Sequence, residues 1–64
     1  METVIKEILK HIEDMGLYPA SHNVHNSIAS TFVTFLVERE NYGDERMVAQ
    51  INNATKEWKL YAEI

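Results

Sequence analysis

Sixty-four residues make one domain, 1–64, and a chain this short buries only about 60% of the surface its unfolded form exposes. It contains no cysteine, which excludes disulfides and thiolate metal sites as a source of the missing stability. Ten acidic against six basic side chains give a net charge of −4, and the basic ones are scattered among acidic neighbours. That pattern opposes binding to a phosphate backbone, so no nucleic-acid partner is expected.

The first residues, Met-Glu-Thr-Val-Ile-Lys-Glu, mix apolar and charged side chains and lack the uncharged core of a signal peptide. The longest apolar cluster, Phe32–Val37, includes Thr34 and falls far short of the ~20 residues a membrane-spanning helix needs. A cytoplasmic location and no membrane partner are expected, in keeping with the absence of cysteine.

A first helix is expected over 3–15. Met1, Ile5, Ile8, Ile12 and Met15 recur with the 4-3-4-3 spacing of one helical face, with Val4 and Leu9 widening the stripe and Thr3 as N-cap. Gly16 is placed as the left-handed C′ residue, and Leu17 follows at C″, where it folds back on Ile12. Tyr18-Pro19 blocks continuation, because the residue before proline avoids helical angles.

A second helix is expected over 21–40, its apolar positions being Val24, Ile28, Phe32, Phe35 and Leu36. The run from Thr31 to Val37 is rich in strand-forming residues, but a strand there has no evident partner, so helix is preferred. Asn41-Tyr42-Gly43-Asp44 forms the next break, with Asp44 as N-cap. A third helix over 44–62 is read from Met47, Ile51, Ala54, Trp58 and Tyr61, again spaced 4-3-4-3. The fold class that follows is all-α, a compact and self-associating three-helix bundle with isoleucine, phenylalanine and tryptophan faces meeting in one core.

The chemistry-bearing residues form no recognisable motif. His22 and His25, three apart near a helix start, are weak candidates for a metal pair, without an HExxH context, and no metal or cofactor is expected. Glu38, Glu40, Asp44 and Glu45 lack the ligand order of a calcium loop and read as a solvated acidic surface. The serines and histidines lack a nucleophile elbow, and no catalytic residue is expected.

The outward pointer is the width of the second apolar face. Val33 and Val37 lie away from the main stripe, widening the arc to about 200° against the ~100° a surface helix needs. With Leu60 and Ile64, which lie off the third stripe, they form the expected interface. The function expected is that of a non-enzymatic, homodimeric regulator or inhibitor that binds another protein. The alternative is a small-molecule- or metal-binding helical protein with a site between subunits near Tyr18, His22 and His25. A helix-turn-helix DNA binder, with Met47–Ala54 as recognition helix, ranks third because the charge is acidic.

Overall fold

The computed structural model describes residues 2–39 and 43–63. They form one helix and four strands in the order α1 (Glu2–Asp14), β1 (Tyr18–Asn26), β2 (Ser30–Arg39), β3 (Gly43–Asn52) and β4 (Trp58–Glu63). The strands make a single antiparallel sheet in sequence order, β1-β2-β3-β4, and α1 covers one of its faces.

α1 forms where its apolar spacing places it. Ile8 and Ile12 are fully buried, with Val4, Ile5 and Leu9 partly buried beside them. Thr3 lies inside the helix and does not cap it. The C-terminal stop is a Schellman turn: Leu17 N–H donates to the Ile12 carbonyl (3.3 Å) and Gly16 N–H to the Glu13 carbonyl (2.9 Å). Gly16 has φ of 81°, and Leu17 returns to the core at 6% exposure. The cap thus ends the helix and turns the chain directly into β1.

The three-helix bundle is overturned beyond this point, since 21–40 and 44–62 contain strands where two helices were expected. The physical reason lies in the spacings. Residues four apart share a face in a strand as well as in a helix, so only the steps of three discriminate. Those steps fail. Phe35 is fully buried while Phe32 is 38% exposed on the opposite face, and the Ile51-to-Ala54 step crosses a turn. The period that organises the core is two: Thr31, Val33, Phe35 and Val37 on β2, and Met47, Ala49 and Ile51 on β3, all buried. Their register pairs Thr31 with Ile51, Val33 with Ala49 and Phe35 with Met47, so the apolar rows meet under α1. The objection that a strand at 31–37 would stand alone falls away, because both its flanking segments pair with it.

Neither of the tight connections that align β1 with β2 and β3 with β4 contains glycine. Ser27 N–H donates to the Ser30 carbonyl (2.9 Å), closing the first around an exposed Ile28. In the second, Asn52 Oδ1 accepts from the N–H groups of Ala54 (2.9 Å) and Thr55 (3.1 Å), an Asx turn. Lys56 takes φ of 66°, the role glycine ordinarily fills. Asn53 ties the two turns together: its Nδ2 donates to the Ser27 carbonyl (2.9 Å) and its backbone N–H to the Ala29 carbonyl (3.1 Å). Its Oδ1 accepts from the buried Thr31 hydroxyl at 2.6 Å. By contrast the Arg39–Glu45 ion pair (2.7 Å) is exposed at 47% and 40% and contributes little.

Two stability outcomes follow. Gly16→Val lowers stability by about 1 kcal/mol or more in urea titration; its cost is backbone conformation, because a Cβ there meets nothing within 4 Å. Unchanged stability would show that the Schellman turn does not end α1. Asn53→Ala removes three side-chain hydrogen bonds, to the Ser27 and Ile28 carbonyls and from the Thr31 hydroxyl, which loses its closest acceptor, a loss of roughly 1–3 kcal/mol by the same titration.

Candidate functional site

One helix covers one face of the sheet, and the strand alternation sorts the side chains accordingly. The covered face receives Thr31, Val33, Phe35, Val37, Met47, Ala49 and Ile51, with Trp58 and Leu60 partly buried against them. The opposite, outer face carries Phe32, Thr34, Leu36, Arg46, Val48, Gln50, Lys59 and Tyr61 from the three strands β2, β3 and β4. No helix lies over it among the described residues.

The register gathers the apolar members of this outer face. Val48 stands opposite Thr34 on one side and Tyr61 on the other, and Phe32 and Leu36 are the two diagonal neighbours of Val48 on β2. Phe32 is 38% and Tyr61 48% exposed, while Leu36 and Val48 are half-buried by their neighbours. Around this centre stand Ser21, Asn23 and His25 of β1 and the polar chains of Arg46, Gln50 and Lys59. Toward the β3–β4 connection the surface dips into an open concavity bordered by Gln50, Lys59, Tyr61, Lys56 and Glu57. The outer face thus has an apolar, aromatic centre within a polar rim.

The residues singled out from the sequence fall elsewhere. Val33 and Val37 are fully buried beneath α1, and Leu60 is partly buried against the same core. Their placement on outward helical faces depended on helices that do not form, and Val33 and Val37 present no surface. Ile64 lies outside the described residues. His22 and His25 were placed together by helical spacing; in a strand, residues three apart point to opposite faces. His22 stands on the helix side, 5.8 Å ring to ring from Phe35, and His25 on the outer side opposite Phe32. Tyr18 sits exposed at the start of β1, away from both. His11 meets Trp58 edge-on at 5.5 Å. Met47–Ala54, the expected recognition helix, is β3 and the turn after it, which removes the helix-turn-helix geometry. Of the acidic patch, Glu40 lies outside the described residues and Glu45 pairs with Arg39.

The outer-face residues escaped the sequence reading because Phe32 and Leu36 were assigned to the core stripe. No sequence signal separates them from Val33, Phe35 and Val37, because Thr-Phe-Val-Thr-Phe-Leu-Val places a threonine and large apolar residues on both parities; the alternation appears only in burial.

Comparison with known protein families, curated proteins and solved structures finds no match to this chain. Among the described residues no helix is long and apolar enough to cross a membrane.

The two faces are separable by substitution. Val37→Glu buries an unpaired charge at a fully buried position and unfolds the chain, or lowers stability by several kcal/mol. Phe32→Glu, at a 38% exposed outer-face site, costs no more than about 1 kcal/mol. Circular dichroism and urea titration of both variants provide the check. Equal tolerance would contradict the burial of Val37 against an open Phe32, and a tolerated Val37→Glu beside an unfolded Phe32→Glu would mean the faces are assigned in reverse.

Proposed function

We propose that this chain is a small, non-enzymatic, protein-binding regulator or inhibitor working in the cytoplasm, and that it holds its target against the outer sheet face. The observation that supports this reading is the contiguous Phe32–Leu36–Val48–Tyr61 surface, uncovered on a domain whose other face is closed by α1. Aromatic and arginine side chains are the ones that most often carry binding energy at protein interfaces, and Phe32, Tyr61 and Arg46 stand here together. The polar surround, Asn23, His25, Gln50 and Lys59, supplies the hydrogen-bonding rim that sets orientation.

A photoreactive phenylalanine analogue placed at Tyr61, expressed in the native host, tests the reading. The expected outcome is a discrete adduct with a different protein, abolished by Phe32→Asp and absent when the analogue replaces Lys10 on exposed α1 surface. Adducts of this chain with itself alone, or equal adducts from both positions, would overturn it.

A further inference from the structure

We infer that β1 is a pairing edge for a second copy of this chain, joining two four-stranded sheets into one continuous sheet across a two-fold axis at Val24. This surface is distinct from the outer face and does not depend on what binds there.

The backbone geometry defines the seam. Antiparallel neighbours alternate between pairs that exchange hydrogen bonds and pairs that do not. Ser27 N–H donates to the Ser30 carbonyl at 2.9 Å, so Ser27–Ser30 is a bonded pair. By alternation His25–Phe32 and Asn23–Thr34 are bonded pairs as well. The N–H and C=O groups of His22, Val24 and Asn26 therefore point away from β2, along the free edge. A second β1 laid antiparallel with Val24 opposite Val24 brings His22 opposite Asn26. Every outward group of those three residues then meets a complementary one. The seam is self-complementary, as a two-fold contact between identical chains requires.

The absence of charged residues on β1 distinguishes this edge. Two chains each at −4 repel, and exposed edges are ordinarily guarded by charged residues. β1, Tyr-Pro-Ala-Ser-His-Asn-Val-His-Asn, contains no Asp, Glu, Lys or Arg, whereas β4, the opposite edge, includes Lys59 and Glu63 in its sequence. β1 is thus the edge at which two copies meet without opposing charges. Its protection is confined to one end, where Pro19 and the register shift between Pro19 and Ser21 interrupt the ladder, leaving Ser21–Asn26 regular.

The helix side of the same edge supplies apolar contact. Val24 is 42% exposed although it stands opposite the buried Val33. Beside it, between α1 and β1, runs an open groove lined by Ile5, Leu9 and His22 with Glu2 and Lys6 at its margin. Paired residues project to the same side of a sheet, so the partner's β1 would set its own Val24 against this one, next to that groove.

Sedimentation equilibrium of the full chain at high micromolar concentration reads the outcome as mass, expected at twice the 7.4 kDa of one chain. Val24→Pro removes an outward N–H and no bond to β2, so the variant keeps the strand signal in circular dichroism and sediments at the single-chain mass. Val24→Lys, at an exposed position, gives the same halving through like-charge opposition should the proline variant unfold. Because the chain has no cysteine, Val24→Cys reports directly: paired Cα atoms about 5.5 Å apart suit a disulfide, so mild oxidation yields a covalent dimer. Asn23→Cys, offset from its symmetry mate, does not. A monomeric parent overturns the inference, as does equal cross-linking from both cysteine variants. A dimer that survives Val24→Pro and Val24→Lys but is lost in Phe32→Asp overturns it too, by placing the second copy on the outer face. Failure of the target reading is separate, since the Tyr61 adduct is scored on a different protein and in the Val24 variants as well.

Discussion

The contact between α1 and the inner face of β2 and β3 is the constraint from which the rest of this molecule follows. Ile8, Ile12 and Leu17 close over Val33, Phe35, Val37, Met47, Ala49 and Ile51, and together these make the buried core. Burying such side chains contributes roughly 1.5–3 kcal/mol each, which is the favourable term a chain without disulfides must rely on. The Schellman turn at Gly16 makes the contact possible, because it reverses the chain within Met15–Leu17 and delivers Leu17 into the same core.

That one contact also decides what stays open. A helix of 13 residues is about 20 Å long and has one apolar stripe, so it covers the middle of one sheet face and nothing else. β1 remains exposed along nearly its whole length, and the outer face keeps Phe32 and Tyr61 in solvent. The two open surfaces differ in chemistry: side chains characterise the outer face, while unpaired backbone groups characterise the edge. Both lie off the core, so substitution there costs little of the fold, whereas Val33 and Val37 do not offer that freedom.

The far end of the sheet is secured by polar rather than apolar means. Asn53 bridges the two turns, receives the Thr31 hydroxyl and leaves no described buried side-chain polar atom unpartnered. Such satisfied networks fix a register that apolar packing alone leaves loose, since a one-residue slip would exchange the inner and outer rows. The strained Lys56 backbone is held in place by the same turn, through its N–H to the Asn52 carbonyl at 2.7 Å.

The first helix was legible in the sequence because everything that makes it is local: a stripe of isoleucines, a glycine able to take positive φ, and a proline beyond. Of the break read over Asn41–Asp44, Asn41 and Tyr42 lie outside the described residues, while Gly43, with φ of 80°, and Asp44 open β3 and cap no helix. What followed the first helix was not legible. Apolar steps of four in 24–36 and 47–51 fit helix and strand alike, a strand at 31–37 had no evident partner, and the steps of three join opposite faces or cross a turn. The turns at Ser27–Ser30 and Asn52–Glu57 carry no glycine, and their shape comes from Asn52, Asn53 and a left-handed Lys56, which no local pattern announces. β1 has no strand-like alternation and is a strand because β2 lies beside it. The sequence by itself therefore determined the acidic charge, the lack of cysteine and the first helix. Only the tertiary structure decided that the remaining residues pair as a sheet, because hydrogen bonds between distant segments have no periodicity to leave in the chain. That pairing also reassigned Val33 and Val37 to the core and Phe32 and Tyr61 to the surface.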